Sequence, residues 1–314
     1  MVQQSDVLIA VIGVTGAGKT TFVSKATGRK DLEIGSDLSS CTQEVQIAET
    51  VIGGRRVILI DTPGFDDSDR TEADILRLIA NYLAEMYQDG KRLNGVILLQ
   101  PISINRIMGS EWKRTRLFER VCGPDAYGNI VIATTMWSDI KDTAVGLKRM
   151  KERMQEDSLW GPMVKKGACV VKHDNSPSSA REIVEILVNK SKVTLQMQEE
   201  LVNNGGRIGQ TSAGKQLNAD LREACARYER EIEELRKECS HFAEDMQDLR
   251  EKVERVNKEK EELERSQVSD FSCCGWVVST KLLKVDIFAV IGNLLPVLII
   301  TGEVVAKASG CAVM

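Results

Sequence analysis

From Asp6 to about Lys190, short β-branched apolar runs alternate with stretches whose apolar residues recur every three or four positions. The runs Val7–Ile12, Glu44–Val51, Arg56–Asp61, Asn94–Pro101, Asn129–Thr135 and Ala168–Lys172 predict strands. Helical spacing in Lys19–Ala26, Glu72–Tyr87 and Gly109–Val121 fills the gaps between them. Single strands separated by helices need crossovers, so the pattern predicts an α/β domain with a mostly parallel sheet and helices on both faces. One connection breaks the rule: in "TVIGGRRVILID" the pair Gly53-Gly54 joins two strands directly, which predicts a hairpin. Beyond the last strand, the serine-rich stretch from Ser176 offers helix caps, with Glu182 three residues after Ser179.

After Leu201 the pattern changes. The glycine-rich stretch "NNGGRIGQTSAG" reads as a linker over 201–215. A long charged helix is then predicted over 216–266, with Leu217, Leu221, Ala224, Tyr228, Ile232, Leu235 and later apolar residues at alternating three- and four-residue steps. That spacing keeps one stripe facing a partner, which predicts a coiled coil over 216–268 pairing with a second chain or another helix; the alternative is a helix folded back on its own domain. The remainder, 269–314, is an apolar tail. These breaks divide the chain into 1–200, 201–215, 216–268 and 269–314.

A net charge of −4 argues against a nucleic-acid partner, which needs concentrated basic surface. The eight cysteines form no C-x-x-C pair, only two histidines are present, and no apolar signal segment opens the sequence. A disulfide framework and a zinc site are both disfavoured, and reduced thiols in the cytoplasm are expected.

The chemistry concentrates where the first strand ends. Gly13, Val14, Thr15, Gly16, Ala17, Gly18, Lys19 and Thr20 satisfy G-x-x-x-x-G-K-[ST], followed by Thr21, with a strand before and a helix after. A loop that wraps phosphate oxygens with its own N–H groups needs close approach that side chains would block, and the helix adds its positive end. Lys19 can neutralise terminal phosphates and the Thr20 hydroxyl can ligate Mg²⁺. In "VILIDTPGF" a second strand ends on Asp61, placed to hold the water shell of the same ion, while the Gly64 amide can approach the last phosphate. A P-loop NTPase fold follows.

"GVTGAGKTTF", "SSCTQEV", "IDTPGFDD" and "ATTMW" resemble the septin-related, immunity-associated (GIMAP-like) G domains of the TRAFAC GTPase class, in particular their fungal G-domain relatives. The resemblance covers about residues 6–200. It implies GTP (or GDP) binding, an antiparallel second strand, and Thr42 as a metal-site threonine beside Thr20 and Asp61. It also implies that the base lies near Thr135 and Trp137 after one strand and near His173 and Asn175 after the next.

Two departures shape the expected function. The guanine-reading [NT]-K-x-D slot holds Thr134-Thr135-Met136-Trp137, without its carboxylate unless Asp139 reaches in. Trp137 is either a stacking partner for a purine or a core tryptophan, and Asn175 either a base contact or a helix cap. Where a fast GTPase carries a water-orienting glutamine, the chain has Phe65, and Asp66, Asp67 and Arg106 are loose substitutes; slow hydrolysis is expected and no catalytic residue is assigned.

At the end, Cys311-Ala-Val-Met314 matches a C-a-a-X prenylation box, and the terminal methionine favours farnesyl. Since one lipid anchors only reversibly, a second signal is expected, from acylation at Cys273-Cys274 or from the apolar run Val285–Gly302. The combined expectation is a GTP-binding switch or assembly module at a cytosolic membrane face. The alternatives are a non-hydrolysing scaffold whose coiled coil binds partners, and an adenine-nucleotide ATPase.

Overall fold

The computed structural model describes residues 6–29, 45–65, 70–104, 109–238 and 243–266. Thr42, Asp66, Asp67, Arg106, Cys273-Cys274, the run 285–302 and Cys311 lie outside the described residues.

Six strands, β1 (Val7–Gly13), β2 (Gln46–Ile52), β3 (Arg55–Asp61), β4 (Gly95–Pro101), β5 (Ile130–Thr135) and β6 (Cys169–Lys172), form one sheet in the order β2-β3-β1-β4-β5-β6. All pairings are parallel except β2 with β3, where the register joins Ile52 to Arg55 at one end and Gln46 to Asp61 at the other. Gly53 and Gly54 turn this hairpin with φ of 57° and 72°, the left-handed pair that a two-residue turn requires.

Both faces of the sheet are covered, which is why its strands read as unbroken apolar runs. Along β1, Leu8, Ala10 and Ile12 enter one core while Val7, Ile9 and Val11 enter the other. The second core is closed by α1 (Lys19–Thr27) and by α6 (Pro177–Val188). On the first face lie α2 (Glu72–Gln88), α3 (Gly109–Cys122), the short α5 (Gly161–Lys165) and α7 (Gln196–Asn203). Between β5 and α5 runs α4 (Thr143–Gln155), tied to α3 by a buried ion pair, Arg153 Nε to Glu111 Oε1 at 2.7 Å. Because β1 has β3 on one side and β4 on the other, the strand order reverses beside β1, and a crevice opens at the carboxyl ends there.

Helix α6 is capped by Ser176, whose Oγ accepts from Ser179 N at 3.1 Å, with Pro177 at the first helical position; Glu182 receives Ser178 Oγ instead. Among adjacent serines, the one preceding proline wins because proline fits only the first turn.

The stretch 201–215 is packed, not loose: Leu201, Ile208 and Ala213 are fully buried. The single helix expected over 216–266 is two helices, α8 (Ser212–Glu238) and α9 (Ala243–Arg265), running antiparallel on each other. Arg222 pairs with Glu264 at 3.4 Å, and Cys225 Sγ contacts Asn257 Oδ1 at 3.2 Å. The apolar stripe therefore meets itself and the domain: Leu217, Leu221 and Leu263 are buried in the core beneath α2 and α3. Packing against a helix of the same chain costs far less entropy than recruiting a second chain. Cys122, Cys169 and Cys225 are free thiols. No helix among the described residues is long and apolar enough to cross a membrane.

Candidate functional site

Two adjoining cavities occupy the crevice, one of about 380 Å³ at the end of β1 and one of about 240 Å³ at the ends of β5 and β6. Gly18 and Thr21 line both.

The first cavity is built on main chain. After Gly13 the loop 14–18 turns into α1, whose N-cap, Gly18, has φ 90° and supplies no side-chain cap. The other helix starts in the crevice region differ: Thr71 caps α2, Asp142 caps α4 and Ser176 caps α6. Uncapped first-turn amides leave hydrogen-bond donors and the positive end of the helix directed at the cavity. Lys19, largely buried, folds over the loop and donates to Gly13 O at 3.3 Å and Val14 O at 3.0 Å. From β5, Thr135 Oγ1 donates to Ala17 O at 3.0 Å and so braces the loop from behind.

Opposite the loop, Asp61 accepts from Thr20 Oγ1 at 2.7 Å through Oδ2, while its buried Oδ1 has no partner among the described residues. Burial raises the Asp61 pKa above the ordinary carboxylate value, against the pull of the Thr20 hydrogen bond and the Lys19 charge. A hydroxyl and a half-used buried carboxylate, both oxygen donors, suit a hard divalent cation such as Mg²⁺. Past Asp61 the chain comes back to the loop: Phe65 N donates to Gly13 O at 3.1 Å and Thr15 N donates to Phe65 O at 2.7 Å. Gly64 is pressed so close that an added Cβ would stand 2.6 Å from Thr15 N and 2.7 Å from Lys19 Nζ. The Phe65 ring is buried in the core.

The second cavity is walled by side chains. Thr135, Trp137, His173 and Asn175 all line it, so the structure brings together the four residues that sequence assigns to the base. Their contacts differ from the expected ones. The Trp137 indole N–H donates to Thr134 O at 2.9 Å, the ring carries Lys172 Nζ 4.6 Å from its centre, and an added Cβ on Gly146 would meet it at 2.6 Å. Trp137 is a packed wall. His173 is buried, with Nδ1 3.0 Å from Ser179 Oγ, its ring edge-on to Phe22 at 5.1 Å, and Nε2 without a partner among the described residues. Burial lowers its pKa, so the imidazole is neutral at pH 7. Asn175 adopts φ 66° and its carbonyl accepts from Lys25 Nζ, while capping of α6 falls to Ser176.

Asp139 does not supply the missing carboxylate; it is exposed in the turn Trp137–Asp139, receives Ser138 Oγ at 3.2 Å, and lies outside the cavity lining. Asp174 does line the cavity. Its Oδ1 accepts from Ser176 N at 2.9 Å, and the Ser176 hydrogen bonds hold its pKa below the ordinary carboxylate value, so it is ionised. The sequence pattern places the base-reading carboxylate after β5, whereas Asp174 follows β6; its place between His173 and Asn175 is the signal that points to it.

Residues 8–100 match the family model described as 50S ribosome-binding GTPase. The fold is a P-loop GTPase G domain. Among curated proteins, GTP-binding protein A of Dictyostelium discoideum is 27% identical over 132 residues, which is 42% of this chain and 28% of that protein. GTPase Der of Buchnera aphidicola is 29% identical over 69 residues, 22% of this chain and 15% of that protein. The chain thus spans well under a third of the length of either relative. Among solved structures, Toc33 of Arabidopsis thaliana in complex with Mg²⁺ and GMPPNP is similar to the G domain at 15% identity and a TM-score of 0.46, covering 60% of this chain and 87% of that one.

Proposed function

We propose that the chain binds GTP with Mg²⁺, hydrolyses it slowly, and works as a nucleotide-dependent switch or assembly module at a cytosolic membrane face. The observation that carries the nucleotide part is the uncapped start of α1 beneath Lys19, with the Thr20–Asp61 pair across the cavity. In this reading the amides of 14–20 cradle the β- and γ-phosphates, and Lys19 leaves the Gly13 and Val14 carbonyls to neutralise them. Thr20 and Asp61 would hold the cation, with Thr42, outside the described residues, as the expected third member; the ion would supply positive charge against the negative charge that develops on the phosphates. Water adds to the γ-phosphorus as the β–γ bridging oxygen leaves with GDP. Phe65 cannot orient that water, so turnover is slow.

For the base, Asp174 is the carboxylate in reach of the second cavity, and guanine offers it two N–H donors where adenine offers none in that arrangement. Guanine is therefore favoured over the adenine-nucleotide alternative. Competition of GTP against ATP on the full chain tests this directly, and preferential displacement by ATP would refute it.

The switch reading is supported where α9 meets α2: Glu259 Oε1 accepts from Ala73 N at 3.2 Å, at the start of the helix that follows residues 66–69. The scaffold reading keeps one observation in its favour, the buried Phe65 in the water-orienting position. Nucleotide exchange that changes neither assembly nor membrane binding would decide for the scaffold. The membrane part rests on the sequence of 269–314, and mass spectrometry of native protein reads the lipid on Cys311 together with the co-purifying nucleotide.

A further inference from the structure

Gln46 opens β2 at the register position opposite Asp61, and both residues line the phosphate cavity. Directly opposed residues of an antiparallel pair have their Cβ atoms within about 5.5 Å of each other. Gln46 Oε1 is buried and has no partner among the described residues, and neither has Asp61 Oδ1. Two neighbouring buried acceptors without hydrogens are an expensive arrangement unless a ligand supplies donors.

We infer that Gln46 is a second-sphere holder of the divalent cation, its Oε1 and Asp61 Oδ1 together accepting hydrogen bonds from water bound to the ion. This deepens the Mg²⁺-nucleotide reading above and rests on it. Among the described residues, the chemistry selects the partner by elimination. Phosphate oxygens carry no hydrogens and cannot satisfy either acceptor. The Thr20 hydroxyl already donates to the other oxygen of Asp61, and Lys19 donates to main-chain carbonyls of the loop. Water polarised by a dication is a strong donor, and Mg²⁺ keeps several of its waters when it binds beside phosphates. Gln46 thus positions the ion through water and touches neither nucleotide nor reacting atoms.

The test titrates Mg²⁺ against the affinity of the full chain for a fluorescent GTP analogue, starting in EDTA. Gln46→Leu keeps the volume and removes the acceptor, and Gln46→Met serves if the leucine variant folds poorly. Loss of an outer-sphere partner should raise the Mg²⁺ concentration at half-effect by about 10–100-fold, with affinity in EDTA unchanged. Gln46→Glu keeps the acceptor and should retain Mg²⁺ dependence near that of the unaltered chain. Three results overturn the inference: Gln46→Leu titrates like the unaltered chain, it loses as much affinity in EDTA as in Mg²⁺, or Gln46→Glu is weaker than Gln46→Leu. In the last case the amide was donating to phosphate. If the unaltered chain itself shows no Mg²⁺-dependent binding, the underlying reading fails and takes this one with it.

Discussion

The two cavities share Gly18 and Thr21 but are made of different material. Around the first, the loop presents main chain: Phe65 N bonds Gly13 O, Thr15 N bonds Phe65 O, the Ala17 carbonyl accepts from the Thr135 hydroxyl, and the α1 start is left without a side-chain cap. Around the second, side chains form the walls, as in His173 against Ser179 and Trp137 between Lys172 and the Thr134 carbonyl. Main-chain cradles bind what all nucleotides have in common, the phosphates, whereas side-chain walls discriminate between bases. Damage to the first half should thus abolish binding, and damage to the second should redirect it.

The largest expected effect comes from Lys19→Ala. Removing a charged donor from the triphosphate costs about 3 kcal/mol, on the order of 100-fold in affinity for GTP and ATP alike by equilibrium binding. Gly64→Ala comes next. Its Cβ would overlap Thr15 N and Lys19 Nζ, and overpacking of that kind costs about 1–3 kcal/mol, read as a lower Tm and weaker triphosphate binding with no change in base preference. Asp174→Asn should act oppositely on specificity and strength: about 10-fold weaker GTP binding, with xanthine nucleotide gaining relative to GTP, because an amide can donate to the xanthine carbonyl. An equal loss for all bases would erase the contrast between the halves.

The smallest effects are in pH. His173 has a folded pKa below its ordinary 6.5, so the unfolded chain binds the proton more readily, and the His173 contribution to stability is complete above 6.5 and falls as pH drops below it. Asp61 runs the other way: with its folded pKa above the ordinary 3.8, its contribution is complete below 3.8 and is lost as pH rises through the folded value. Tm measured from acid to neutral pH should therefore lose its His173 component in His173→Gln and its Asp61 component in Asp61→Asn. Added Mg²⁺ and GTP should raise Tm most where Asp61 is ionised.

The same division explains what the sequence could reveal. A cradle of backbone amides admits few residue types at fixed spacing, so Gly13–Thr20 and Asp61 can be read directly, as can the β2–β3 turn at Gly53-Gly54. Asp174 was legible only as the neighbour of His173 and Asn175, and Gln46 not at all. One depends on how the chain turns after β6, the other on a one-residue choice of register between β2 and β3, and neither leaves a periodic trace. The stripe from Leu217 to Leu263 was visible as a stripe, but period alone does not name its partner, and α8 and α9 satisfy each other and the core.

The bonds joining Phe65 to Gly13 and Thr15 involve no side-chain atom. Replacing the phenyl ring with any other ordinary side chain changes what plugs the interior yet leaves both stitches intact. Proline alone, having no amide hydrogen, would unpick the one to Gly13. Where this corner is stitched is therefore fixed by backbone, while position 65 sets how much apolar surface must be exposed to lift it.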